Sequence, residues 1–275
     1  MGLVFNQQRI DKDKMEFVQI LGHNVRCLIL EKKEASKTVV LLHGLGASIE
    51  RWSGLWPYLK NYNVVIPDLI GFGYSDKPLV EYTLDFFIKF LEEFFDTLGI
   101  INPIIIGSSF SGQLVLEYCL RHRDFFEKII LVSPAGTIER PTYVLSHYIF
   151  SGIYPTVENV QTAFQMMANN PHYQVDENTI KDFINRMKLP NSKYALISTL
   201  LAMRRDRTLQ QRLGEIQIPT LVIWGSEDTT IPVENIEYFK QMPDVKTHIM
   251  KGCGHTPYVE SPNEFYEIIK KFIES

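Results

Sequence analysis

Five short runs of uninterrupted apolar residues constrain this chain more than any other feature. They are Thr38-Val39-Val40-Leu41-Leu42, Val64-Val65-Ile66, Ile104-Ile105-Ile106, Ile129-Ile130-Leu131-Val132 and Leu221-Val222-Ile223-Trp224. Each has the length of a strand, and none alternates with polar residues. A strand without alternation has both faces buried, as in a parallel sheet covered by helices. Parallel neighbours need long crossover connections, and helical patterns do separate the runs. Thr83 to Leu98 carries apolar residues at 84, 87, 88, 91, 94, 95 and 98, a 3.6-residue period. Leu114 to Leu120 continues a helix that starts near Ser109. Pro262 to Ile273 reads as a closing amphipathic helix with Pro262 in its first turn. Before the first run, Glu16 to Leu21 and Val25 to Leu30 read as a strand pair joined through Gly22-His23-Asn24. Lys246 to Met250 reads as the last strand. The expected fold class is α/β, a mostly parallel central sheet flanked by helices.

One stretch breaks the alternation. From about 135 to 213 there are helical patterns and no strand run. Val157 to Asn169, Asp176 to Lys188 and Ser192 to Arg207 stand out as helices, bounded by Pro155, Pro171 and Pro190. This stretch leaves the sheet where an open α/β sheet has its ligand crevice. The expected organisation is a core domain of residues 1–134 and 214–275, interrupted by a helical cap of residues 135–213. A helical subdomain serving stability alone is the competing reading.

Composition removes several classes of function. A chain of 275 residues, 45% apolar and 22% charged, folds around a core of its own. A net charge of −4 offers no electrostatic footprint for nucleic acid or an anionic membrane. No apolar run approaches the length of a transmembrane helix. Met1 to Lys14 is polar and lacks the apolar stretch of a secretory signal. Cys27, Cys119 and Cys253 form neither a metal pattern nor a disulfide framework, which favours a reducing, cytoplasmic setting. The 17 Phe and 13 Tyr decide nothing alone.

Chemistry concentrates where the third of the five runs ends. Ile104-Ile105-Ile106-Gly107-Ser108-Ser109-Phe110-Ser111-Gly112-Gln113 is an apolar strand that enters a Gly/Ser knot and leaves as a helix. That is the setting of a nucleophile elbow, G-x-S-x-G, which places a serine on a strained strand-to-helix turn. Small residues two positions either side allow the turn, and Gly107 and Ser111 hold those places. Ser109 is then the nucleophile, although Ser111 stands where glycine is usual and Gly112 follows. A serine-rich helix N-cap is the bland alternative.

With the elbow in place, the chain resembles a serine α/β-hydrolase over nearly its full length. Leu41-Leu42-His43-Gly44-Leu45-Gly46 resembles the family's H-G-x-G oxyanion loop. Pro67 to Asp76 resembles the loop after the fourth strand. Ile223-Trp224-Gly225-Ser226-Glu227-Asp228 ends a late strand with an acid, and Gly252-Cys253-Gly254-His255 follows the last strand with a histidine. The chain order Ser109, Asp228, His255 is the order of this fold. The resemblance implies that His255 takes the Ser109 proton and that Asp228, rather than its neighbour Glu227, orients the imidazole. It implies backbone N–H groups of Leu45 and Phe110 as oxyanion donors. Asp68 and Asp76 read as structural, and Arg204-Arg205-Asp206-Arg207 as a solvated face with a substrate-carboxylate clamp as the alternative.

An aspartate at the elbow would imply a dehalogenase or epoxide hydrolase, and position 109 is serine. The carbon–carbon bond hydrolases usually carry Trp after the catalytic histidine, whereas Thr256-Pro257-Tyr258 follows here. The expected activity is therefore cleavage of small to medium apolar acyl or aromatic esters. A carbon–carbon bond hydrolase of ring-cleavage products comes second, then a lipase or monoacylglycerol hydrolase, then a small-molecule receptor or a cofactor-free peroxidase. The expected pocket wall includes His43, Gly44, Tyr143, Tyr148, Phe164, Met167 and Leu200, drawn partly from a cap that also holds Ile149, Phe150, Tyr154 and Met166. The expected partners are the ester and water, and a homodimer is left open. Such a triad requires neither a metal nor an organic cofactor.

Overall fold

The computed structural model describes residues 15–138, 140–170, 173–205 and 209–275. Its centre is an eight-stranded sheet with the order β1-β2-β4-β3-β5-β6-β7-β8. The strands are β1 (Met15–Ile20), β2 (His23–Leu30), β3 (Thr38–Leu42), β4 (Asn63–Pro67), β5 (Ile104–Ser108), β6 (Lys128–Val132), β7 (Thr220–Gly225) and β8 (Val245–Met250). β1, β2 and β4 pair antiparallel, and every pair from β4 across to β8 is parallel. The five apolar runs are the inner parallel strands. Val40, Ile105, Leu131 and Val222 face one cluster of buried side chains. Val39, Ile106, Ile130 and Ile223 face the other. Alternate residues serve opposite faces, and both faces are dry, so the sequence shows no polar alternation.

One side is covered by α1 (Leu84–Thr97) and α2 (Phe110–Cys119), the other by α10 (Pro262–Ile273). The Thr83 hydroxyl accepts from the Phe86 N–H and caps α1. Between β6 and β7 lie α3 (Tyr143–Ile153), α4 (Val157–Ala168), α5 (Glu177–Met187), α6 (Ser192–Arg205) and the short α7 (Leu209–Arg212). The short α8 (Ile236–Phe239) and α9 (Pro257–Glu260) complete the helices introduced here. Among the described residues, no helix is long and apolar enough to cross a membrane.

Two local expectations need correction. The hairpin turns at Leu21-Gly22, not through Gly22-His23-Asn24. Both turn residues have positive φ, 52° and 73°, and His23 and Asn24 already pair with Ile20 and Gln19. A two-residue turn with two left-handed positions matches the twist of its strands. Helix α3 has no counterpart among the expected helices. Its near-continuous run Tyr-Val-Leu-Ser-His-Tyr-Ile-Phe lacks a clean 3.6-residue stripe. Helix α6 is described to Arg205. Asp206 and Arg207, like the leader reading of Met1 to Lys14, lie outside the described residues.

Candidate active site

The carboxyl ends of β3, β5, β7 and β8 converge, and the loops that leave them carry Leu45, Ser109, Asp228 and His255. Strand β5 runs directly into Ser109, whose backbone sits at φ 55° and ψ −116°. A non-glycine residue in that region is strained and must be held by its surroundings. The Ser109 N–H donates to the Val132 carbonyl at 2.9 Å, and its own carbonyl accepts from Ala135 N–H at 2.9 Å. The turn also needs close backbone approaches. A Cβ on Gly107 would lie 2.8 Å from the Ser111 carbonyl oxygen, and one on Gly112 would lie 2.7 Å from Pro134. Serine is accepted at 111 because its hydroxyl works inside the turn. It donates to the Leu42 carbonyl at 2.5 Å and accepts from the Ser108 N–H at 2.9 Å. Ser111 is thus turned into the protein, while Ser109 faces open space.

The loop after β7 brings Asp228 to His255. Nδ1 of His255 is 2.8 Å from Oδ2 of Asp228, and both side chains are buried. An ionised carboxylate only accepts, so Nδ1 carries the proton and Nε2 is left with a lone pair. The other carboxylate oxygen accepts from the N–H groups of Thr230 and Ile231, at 2.8 and 3.0 Å. Neighbouring Glu227 is exposed and accepts from the Ser226 hydroxyl instead. A Cβ on Gly225 would overlap the backbone of Cys253 and Gly254, so only glycine lets these two loops touch.

The helical insertion holds the histidine loop from the other side. The His255 N–H donates to the Met167 carbonyl at 2.9 Å, and Asn169 Nδ2 donates to the Glu227 carbonyl at 3.0 Å. Gly254 packs on the backbone of Met167 and Ala168. Nothing in the sequence signalled these bonds, because they join a helix end to loops far along the chain. Glu260 of α9 adds a brace, accepting from the N–H groups of Gly254 and Thr256 at 2.7 and 3.0 Å. Burial raises its carboxyl above the usual range, against those two bonds.

On the opposite side, the N–H groups of Leu45 and Phe110 take part in no hydrogen bond among the described residues. Phe110 opens α2, where unpaired N–H groups and the helix dipole favour negative charge. The loop carrying Leu45 is fixed through Asp68, which accepts from Arg26 Nε at 2.6 Å, Ile49 N–H at 2.8 Å and Tyr74 N–H at 2.7 Å.

Two chambers meet at Ser109 and Leu45. The smaller, about 600 Å³ and partly open to solvent, is also lined by Gly44, Arg51, Tyr148, Phe164, Met167, Arg186 and His255. The larger, about 920 Å³, is lined by residues of the β6 exit loop and the insertion, among them Ile138, Leu145, Leu200 and Met203. Of the expected pocket residues, Gly44, Tyr148, Phe164, Met167 and Leu200 line these spaces, and two do not. His43 is wholly buried behind the loop. Its Nε2 accepts from Leu69 N–H at 3.0 Å and its Nδ1 donates to the Gly44 carbonyl at 2.8 Å. Burial lowers its pKa to about 4. Tyr143 is 72% exposed and packs on His147. Phe150 and Tyr154 also lie at the surface. Being on an aromatic-rich helix did not mean facing inward. Sequence reading missed Arg51 and Arg186, which line the smaller chamber. Their signal was weak, since isolated arginines on polar stretches read as surface.

A strained serine at a strand-to-helix turn, at the carboxyl edge of a parallel sheet, is the layout of the α/β hydrolases. The family model described as alpha/beta hydrolase fold matches residues 37–262, and the chain belongs to that family. It is 26% identical over 269 residues to a 2-hydroxy-6-oxo-6-(2'-aminophenyl)hexa-2,4-dienoic acid hydrolase of Metapseudomonas resinovorans, covering 94% of this chain and 90% of the relative. A meta-cleavage product hydrolase from Pseudomonas fluorescens superposes with a TM-score of 0.83 at 22% identity, over 94% of this chain and 97% of the other. A bacterial membrane phospholipase A superposes with a TM-score of 0.80 at 23% identity, over 94% and 85%. The two structural likenesses speak to the fold.

Proposed function

We propose that this protein is a serine hydrolase that cleaves carboxylic esters through an acyl-enzyme. The observation that carries the reading is His255, bonded to Asp228, lining the same chamber as Ser109. Ser109 attacks the ester carbonyl while Nε2 of His255 takes its proton. The tetrahedral oxyanion is stabilised by the N–H groups of Leu45 and Phe110. Collapse expels the alcohol, which receives the proton from His255. Water then repeats the sequence and frees the acid. Residues 135–213 act as the cap over a core of 1–134 and 214–275, and supply the apolar wall that suits acyl or aromatic groups.

A second reading rests on Arg51. No carboxylate pairs with it among the described residues, and it lines the smaller chamber beside His255. A guanidinium held by the Thr256 hydroxyl but by no carboxylate there suits a substrate carboxylate. The related hydrolases of dienoic acids make a carbon–carbon bond hydrolase the natural form of that reading. A p-nitrophenyl ester series from acetate to palmitate, run beside a 2-hydroxy-6-oxo-dienoate, separates the two. Turnover of short esters without loss of dienoate absorbance supports the esterase, and the reverse supports the alternative. Fluorophosphonate labelling should vanish in Ser109→Ala and persist in Ser111→Ala. Labelling that survives Ser109→Ala refutes the nucleophile.

A further inference from the structure

The larger chamber is lined by a polar side chain that no described residue satisfies. Gln113 lies one turn into α2 from Ser109, is wholly buried and lines this chamber. Neither its Nε2 nor its Oε1 has a hydrogen-bond partner among the described residues. A buried amide with both ends unmet is costly, and such an exception calls for an explanation, an ordered water, an ion or a functional role among them. Its place is held by the packing of Gly136, whose Cβ would lie 3.3 Å from the Gln113 side chain. The charged residues of the chamber wall are Arg140 and Arg204, with no Asp or Glu among the described residues that line it. Both guanidiniums are exposed, and neither forms an ion pair with a described residue. Glu117, one turn further along α2, is buried and does not line the chamber.

We propose that this chamber is a recognition subsite for a carboxylate carried by the substrate a few carbons from its scissile carbonyl, with Gln113 as its specificity-determining residue. Gln113 Nε2 donates to the carboxylate, and Arg140 and Arg204 supply the positive field at the mouth. The helix rises about 5.4 Å per turn, so a group on Gln113 sits within a short acyl chain of Ser109. Apolar residues such as Leu200 and Met203 flank the connecting methylenes. The proposal rests on Ser109 as the reacting centre, and its test keeps the two apart.

The kinetic arm compares mono-(4-nitrophenyl) glutarate with 4-nitrophenyl butyrate. Wild type should favour the anionic ester in kcat/KM by about tenfold or more, the scale of a hydrogen bond to a charged group. Gln113→Leu should bring the ratio near one, and the pair Arg140→Gln with Arg204→Gln should lower it several-fold. The binding arm measures glutarate and butyrate by calorimetry on Ser109→Ala, where no turnover is needed. Glutarate should bind more tightly, and adding Gln113→Leu should remove the difference. Gln113→Leu should also leave Tm unchanged or raise it, because it removes an unmet polar group. A merely structural glutamine would lower Tm when replaced. Glutarate selectivity in the binding arm with no ester turnover would refute the esterase reading and keep the subsite. Equal binding of the two acids, or selectivity lost in Arg51→Gln but intact in Gln113→Leu, overturns the subsite.

Discussion

The two walls of the pocket are built on opposite rules. On the sheet side, every residue of β5 and α2 apart from Ser109 between them is buried. The backbone there approaches itself so closely that Gly107, Gly112 and Gly225 have no room for a side chain. On the insertion side, α5 is amphipathic and α3 shows Tyr143 and Phe150 to solvent. Contacts to the pocket come from single side chains such as Tyr148 and Leu200. On the proposed mechanism, the sheet side fixes where the reacting atoms stand, and the insertion decides what may lie against them. Replacement should therefore be catastrophic on one side and graded on the other. The one point where the rule bends is the His255 N–H bond to Met167, where the insertion reaches into the chemistry.

The largest effect expected is on catalysis. Ser109→Ala and Asp228→Asn should each lower kcat/KM by about 10⁴-fold or more against p-nitrophenyl esters. Retention of a tenth of the activity by either would break the contrast at its centre. Gly225→Val should come next, on stability. Its side chain must overlap the Cys253 and Gly254 backbone, and a loss of about 3–4 kcal/mol is expected in urea unfolding.

The pH dependence of stability tests the sheet side again. His43 titrates at about 4 when folded, against an ordinary 6.5, because burial disfavours its charged form. Its neutral form contributes fully above pH 6.5. That contribution fades as pH falls towards 4, since the unfolded chain binds the proton first, by about 3 kcal/mol in all. His43→Gln keeps an acceptor for the Leu69 N–H and should flatten this part of the profile. Equal slopes for the two proteins between pH 6.5 and 4 would rule out His43 as the cause.

The smallest effects belong to the insertion. The Tyr148 hydroxyl donates to the Leu45 carbonyl at 2.6 Å, so Tyr148→Phe should cost about 1 kcal/mol and slow turnover a few-fold. Tyr143→Ala should change stability by less than about 0.5 kcal/mol and leave the rate alone. If Tyr143→Ala matched Tyr148→Phe, the division between lining and surface aromatics would fail.

Legibility in the sequence followed the same division. The inner strands were readable because dry faces on both sides leave continuous apolar runs. The elbow was readable because its geometry demands small residues at fixed places. Helix α3 was not, because a helix packed between sheet and neighbours shows no clean stripe. His43 and Tyr143 fall outside the pocket for a related reason. Residue type gives the tendency to be buried, while facing a cavity depends on how a helix is rotated against its partners.

The sequence alone determined the parallel sheet, the helical insertion and the serine turn. These follow from local sterics and periodicity, which neighbouring residues encode. Only the tertiary structure brings out the Asp228–His255 bond that the family resemblance implies, the inward turn of Ser111, and the burial of Gln113 without a partner among the described residues. Each depends on groups far apart in the chain arriving within a few ångströms of one another, and no local pattern carries that distance.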